Sequence, residues 1–204
     1  MIVKLCGIRR LEDVGYLNEF KPDFAGFILS GGFRRSIGYE TFLQLDSLLD
    51  KKIGRVGVFV NEPAENIVRQ YSGKLDVIQL HGDENEDYLS ELRKSVKCKI
   101  WKAVRVKSVS NIEEADGYGV DMLLLDTFIP GSYGGTGVKA DFDIINRAEF
   151  KTPFMLAGGL DCASVAEAVR SVSPAGVDVS GGIETDGFKD REKIKKFMEI
   201  VRSV

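Results

Sequence analysis

Two glycine pairs, Gly158-Gly159 and Gly181-Gly182, each follow a short apolar run, PFMLA and AGVDVS. Glycine lets a backbone approach a ligand closely and adopt positive φ. Backbone N–H groups at such turns, with the N-terminus of a short helix, can receive an anion. Plain turns use glycine too, but two pairs after consecutive runs favour phosphate, which makes a sugar phosphate a reasonable ligand class. Arg35 is a second anion contact if its loop folds over the same place, because its planar fork suits carboxylate or phosphate. An exposed loop arginine is an equally ordinary reading of it. Groups able to handle protons stand at the ends of three more runs: Cys6 after IVKL, His81 after LDVIQL and Asp126 after VDMLLL. Singly they carry little. A lone cysteine is usually a small buried hydrophobe. An aspartate after an apolar run is more often a cap or turn former, and Thr127 and Pro130 favour a turn there.

The elements that must position these groups follow from the pattern of apolar residues. Strand candidates lie at 2–6, 23–29, 54–60, 75–80, 98–104, 120–126, 153–157 and 175–180. Amphipathic helical patterns fall between and after them, near 11–20, 39–50, 63–72, 84–96, 108–117, 141–148, 161–171 and 189–202. Strict β–α alternation implies parallel strands with crossover helices. Eight units with no leftover element favour a single (β/α)8 TIM barrel over 1–204, an α/β domain at the short end of that fold's usual range. An open sheet of five or six units would leave surplus units to explain. In a barrel, chemistry sits where strands end and βα loops begin. Cys6, His81, Asp126, both glycine pairs, Arg34 and Arg35, and the GGTG segment at 134–137 all fall on that one rim.

Composition removes several function classes. The chain has 204 residues, 28 basic against 31 acidic, for a formal net charge of −3. No basic block points to nucleic acid, and runs such as MLLL at 122–125 are too short to cross a bilayer. The first residues read as a strand and lack a signal-peptide pattern, so a cytoplasmic protein is expected. Cys6, Cys98 and Cys162 are widely spaced and odd in number, which gives neither a disulfide framework nor a zinc pattern. His81 is the only histidine, and no GxSxG motif accompanies it, so His-rich metal sites and Ser–His–Asp hydrolases are excluded.

The segments VKLCGI (3–8), VGVFVN (56–61), IQLHG (78–82), GGTG (134–137), LAGGL (156–160), VDVSGGIE (177–184) and GFKD (187–190) are collinear and fall at the expected strand ends, the last opening the final helix. Together they resemble the phosphoribosylanthranilate isomerase family of tryptophan biosynthesis, from the first strand to the last. The resemblance implies an Amadori rearrangement of N-(5-phosphoribosyl)anthranilate to 1-(2-carboxyphenylamino)-1-deoxyribulose 5-phosphate, with no cofactor or metal. It implies Cys6 as general base and Asp126 as general acid. It also puts substrate contacts on Arg35, His81, Gly158, Gly159, Ser180, Gly181 and Asp178, with Arg35 taking the anthranilate carboxylate and the strand 7 and 8 backbones taking phosphate. Two departures stand out. SGGF occupies 30–33 where the family usually has Pro-Lys-Ser, which leaves Arg34 as an alternative to Arg35. Gly181 replaces a second serine, a change that keeps the backbone N–H. Monomer and homodimer are both open.

Such a rearrangement needs an acid to open the furanose and a base to remove the C2′ proton. A free thiol titrates near 8.5, so about 3% is thiolate at pH 7, and a carboxyl acid must keep its proton by burial or neighbours. Strand alternation adds one independent expectation: if Cys6 and Ser180 face the lumen, so do Lys4 and Asp178. Those two are expected to pair across a closed β1–β8 seam, since either alone would be a costly buried charge. Two other functions compete. The histidine-pathway isomerase performs the same rearrangement but carries an aspartate where Cys6 stands. A barrel that binds phosphate without catalysis would not need both Cys6 and Asp126.

Overall fold

The structure is a computed structural model that describes residues 1–126 and 139–204. The GGTG segment at 134–137 and the turn expected at Thr127 and Pro130 lie outside the described residues.

Eight parallel strands close into a barrel in sequence order: β1 (Ile2–Cys6), β2 (Phe24–Ile28), β3 (Gly54–Phe59), β4 (Val77–Leu80), β5 (Lys99–Arg105), β6 (Met122–Asp126), β7 (Phe154–Ala157) and β8 (Gly176–Val179). Around them run α1 (Leu11–Phe20), α2 (Tyr39–Leu48), α3 (Ala64–Tyr71), α4 (Glu86–Ser95), α5 (Val109–Asp116), α6 (Lys139–Arg147), α7 (Val165–Val172) and α8 (Arg191–Ser203). Closure is direct, with Lys4 in register with Asp178 and Leu5 with Val179. The expected (β/α)8 architecture is therefore present. No described helix is long and apolar enough to cross a membrane.

Each strand is buried on both faces, which is why its sequence reads as a continuous apolar run rather than an alternating one. Val3 and Leu5 of β1 belong to the layer between strands and helices. Cys6 belongs to the lumen, with Val56, Val77, Trp101, Leu124 and Met155. At the lower end, Asp23, Asp76 and Asp121 precede β2, β4 and β6, and each accepts from a backbone N–H of the preceding strand, at Val3, Arg55 and Ile100 (2.7–2.8 Å). Those amides would otherwise be orphaned, so the aspartates fix where neighbouring strands begin.

Helix ends follow their capping residues. The Asn85 side chain accepts from Tyr88 N, Ser108 from Asn111 N, and Asp190 from the amides of Glu192 and Lys193. Helix α7 starts at Val165, later than the periodicity predicts. Asp161 Oδ1 accepts from the amides of Ala163 and Ser164, and this side-chain turn displaces the first helical turn.

The loop after β8 also differs from expectation. Rather than a short helix, a two-stranded ribbon, β9 (Glu184–Thr185) and β10 (Phe188–Lys189), stands there. It turns through Asp186 and Gly187, both at positive φ (51° and 79°), the conformation an Asp-Gly two-residue hairpin demands. Of the GFKD segment at 187–190, only Asp190 serves the last helix, as its cap.

Candidate active site

Cys6 ends β1 with its side chain in the lumen, 7% exposed. Gly7 follows at φ 78°, and the amides of Gly7 and Ile8 both donate to Gly26 O, which bends the chain sharply away from the thiol. A side chain at Gly7 would be strained by that φ. It would also collide with Arg35 Cδ, 2.5 Å from where its Cβ would stand.

Beneath the thiol lies the pair expected from strand parity. Lys4 Nζ donates to Asp178 Oδ1 at 2.9 Å, with Lys4 fully buried and Asp178 9% exposed. Gly26 on β2 makes the room, since a Cβ there would sit 2.8 Å from Cys6 Sγ and 3.0 Å from Lys4 Nζ. The ammonium thus holds the carboxylate and lies near the sulfur. Burial disfavours the Lys4 charge, but Asp178 and Cys6 outweigh it and raise the ammonium above its ordinary value. For the thiol, burial dominates and pushes it up, Lys4 pulls it back, and Asp178 adds to burial; the net is upward.

Asp126 ends β6 on the same rim, three strand steps from β1 around the closed end. His81 Nε2 stands 3.5 Å from Asp126 Oδ2. The His81 ring is oriented from below by Gln79, whose Nε2 lies 3.1 Å from His81 Nδ1. Gln79 thus holds the Nδ1 edge of the ring and leaves Nε2 towards Asp126.

The glycine turns after β7 and β8 are brought together by backbone. Gly158 and Gly159 hold φ of 94° and 68°, and Asp161 bridges Gly182 in parallel fashion. A Cβ on Gly182 would stand 1.9 Å from Leu160 O, so only glycine permits this approach. Ser180 Oγ donates to Cys6 O at 3.1 Å, joining the end of β8 to the end of β1.

The strand-2 loop folds over this end of the mouth. Arg35 lies above Gly7 with its Nη2 3.5 Å from the Cβ position of Gly181, and its side chain is 21% exposed. Arg34 points outward, 60% exposed, against Gly187. Of the two arginines left open by the sequence, Arg35 faces the thiol and the strand-8 turn.

Sequence reasoning missed what holds this loop. Glu184 at the start of β9 accepts from Arg35, Arg34 and Lys189, and Lys189 Nζ also donates to Ser180 O at 3.0 Å. The usable signals were an acidic residue directly after the strand-8 glycines and the Asp-Gly hairpin pair. Across the ribbon, the guanidinium groups of Arg9 and Arg10 stack on Phe188 (4.7 and 4.5 Å to the ring centre).

The assembled rim thus has a thiol beside a buried ammonium, a carboxyl beside an oriented imidazole, paired glycine turns and an arginine over the mouth. It can pass protons within a small anionic ligand.

Comparison with known proteins agrees over the whole chain. Residues 3–200 match the family profile described as N-(5'phosphoribosyl)anthranilate (PRA) isomerase. The N-(5'-phosphoribosyl)anthranilate isomerase of Thermoanaerobacter sp. (strain X514) is 44% identical over 203 residues, covering 99% of this chain and 98% of that protein. The crystal structure of phosphoribosyl anthranilate isomerase from Thermotoga maritima superposes with a TM-score of 0.86 at 34% identity, covering all of both chains. A phosphoribosyl anthranilate isomerase solved with reduced 1-(o-carboxyphenylamino)-1-deoxyribulose 5-phosphate gives a TM-score of 0.83 at 32% identity, again covering all of both chains.

Proposed function

The chain belongs to the N-(5'-phosphoribosyl)anthranilate isomerase family, and from that premise we propose how its rim carries out the reaction. The enzyme is an aldose–ketose isomerase of tryptophan biosynthesis. It converts N-(5-phosphoribosyl)anthranilate to 1-(2-carboxyphenylamino)-1-deoxyribulose 5-phosphate. The conversion is redox-neutral, a shift of protons and electron pairs within one molecule.

Asp126 protonates the furanose ring oxygen while the anilino nitrogen lone pair expels it, giving an open-chain Schiff base. The Cys6 thiolate then removes the C2′ proton, and the electron pair moves through the imine to leave an enolamine. Tautomerisation gives the ketone and returns both side chains to their starting protonation. Each positioned acid or base contributes about 10²–10⁴ in rate. His81, held by Gln79, keeps the Asp126 carboxyl aimed at the mouth. Lys4 supplies the positive charge that the buried thiolate needs. The backbones of Gly158, Gly159, Ser180 and Gly181 receive phosphate, Asp178 is assigned to the sugar, and Arg35 takes the anthranilate carboxylate.

The observation that supports this reading is a buried thiol and a buried ammonium placed together over Gly26 at the end of β1, on the rim where Asp126 ends β6. A plain core cysteine needs no such partner. A mechanism run by a free thiol suits a reducing compartment, so we place the enzyme, as one domain over 1–204, in the cytoplasm. Its test is the loss of anthranilate-adduct fluorescence when purified protein is added to the phosphoribosyl adduct. No loss at micromolar enzyme contradicts the reading.

A further inference from the structure

Glu184 has a side chain only 6% exposed and is surrounded by cations. Arg35 Nε donates to its Oε1 at 2.6 Å and Arg35 Nη2 to its Oε2 at 2.7 Å. Arg34 Nη2 reaches Oε2 and Lys189 Nζ reaches Oε1, each at 2.9 Å. Burial alone would push this carboxyl up, but Arg35 and Lys189 overrule it and bring it down to about 2. Glu184 is therefore a carboxylate at any physiological pH.

The grip on Arg35 is one-sided. A guanidinium has five N–H groups in a fixed planar fork, with two edges that can each hold a carboxylate. Glu184 occupies the Nε–Nη2 edge. The Nη1–Nη2 edge has no hydrogen-bond partner among the described residues. The fork is also fixed in place, because its Cδ rests on Gly7 and its Nη2 lies against Gly181. Glu184 in turn is anchored by Lys189, which donates to Ser180 O. The strand-2 loop arginine is thereby oriented from the strand-8 turn that lies beside the thiol.

We propose that Glu184 is a positioning residue for substrate recognition: by holding Arg35 along one edge, it presents the other edge to the substrate's aromatic carboxylate and so sets the enzyme's demand for that group. This rests on the assignment of Arg35 to the carboxylate. A structural clasp would hold the loop without discriminating among ligands. A competitor would have to be displaced by substrate, so its removal would tighten binding. Orientation has its own signature, a loss confined to ligands that carry the carboxylate.

The experiment measures binding of reduced 1-(o-carboxyphenylamino)-1-deoxyribulose 5-phosphate and of its analogue lacking the ring carboxyl, to wild type, Glu184→Gln, Glu184→Asp and Arg35→Ala. The wild-type preference for the carboxylated ligand should fall about tenfold in Glu184→Gln, with KM for substrate rising to match and kcat within about threefold. Glu184→Asp keeps the charge for Arg34 and Lys189 and protects folding, but draws Arg35 back by one methylene. It should lose part of the same preference. In Arg35→Ala the preference should collapse, and adding Glu184→Gln should change it no further. If preference survives in Arg35→Ala, the assignment of Arg35 is wrong. If it collapses there but stays intact in both Glu184 variants, or if Glu184→Gln tightens binding, positioning by Glu184 is overturned.

Discussion

Replacing Lys4 by methionine removes the positive charge that is paired with Asp178 and lies near Cys6, and its effect on the thiol follows from geometry. Lys4 Nζ and Cys6 Sγ both lie close to a single point above Gly26. Their separation is at most about 6 Å, where a unit charge pair at an effective dielectric constant of about 20 is worth at least about 3 kcal/mol. Burial already raises the thiol, so the wild-type rate should still be climbing with pH above the usual thiol value. A base acts only when ionised, so losing Lys4 should move that rising limb further to the alkaline side. Stability should fall as well, by about 3–5 kcal/mol, because Asp178 is left as an unpaired buried charge. The assays are kcat/KM against pH and thiolate absorbance in a background with Cys98→Ser and Cys162→Ser. Urea unfolding supplies the stability. A Lys4→Met enzyme whose thiol titrates at the wild-type pH would refute the idea that Lys4 is the thiolate's counter-ion. Unchanged stability would refute the buried pair.

The two arginines of the strand-2 loop should separate cleanly. Arg35→Ala should weaken substrate binding by about tenfold or more while sparing affinity for inorganic phosphate, and Arg34→Ala should do much less; equal losses of substrate and phosphate by Arg35→Ala would move it to the phosphate end. Gly182→Ala should drive the strand-7 and strand-8 turns apart against Leu160 O and cost about tenfold or more in phosphate affinity. Gly181→Ser should leave that affinity intact, since its nearest neighbour is at ordinary contact distance (3.5 Å); phosphate titration calorimetry reads both. Glu184 is depressed to about 2 in the fold, so the stability it contributes is present above about pH 4.3, its ordinary value, and is lost as pH falls toward 2. Urea unfolding midpoints should therefore depend less on pH over that window in Glu184→Gln, and an unchanged slope would show that Glu184 is not linked to folding.

The barrel was legible because both of its periodicities are local. Strands such as VIQL at 77–80 are short apolar runs, helices such as 191–203 repeat at helical spacing, and eight alternations leave little freedom of topology. Parity carries further and places Lys4 opposite Asp178, as the β1–β8 register does. The clasp on Arg35 was not legible, because its members come from opposite ends of the chain, Arg34 and Arg35 against Glu184 and Lys189. No spacing rule links a strand-2 loop to a strand-8 loop; only closure of the barrel brings them together. The ribbon at 184–189 was missed for a different reason. Its strands are two residues long, too short for periodicity, and the Asp186-Gly187 turn was its only local mark. Helix α7 begins at Val165 rather than at the start of the 161–171 pattern because Asp161 builds a turn of its own, which apolar spacing does not mark. At the site, residue types pointed to phosphate and protons, while the division of roles between Cys6 and Asp126 rests on the family likeness and on neighbours such as Lys4 and His81 that the fold supplies.

Acid–base catalysis by Cys6 and Asp126 is tested most directly by turnover at saturating substrate, followed through anthranilate-adduct fluorescence, in Cys6→Ala and Asp126→Asn enzymes. Affinity for the reduced product analogue serves as the control in each. Each substitution should lower kcat by at least about 10² and leave that affinity within about threefold. A variant that keeps a third or more of wild-type turnover would contradict the role given to the residue it lacks.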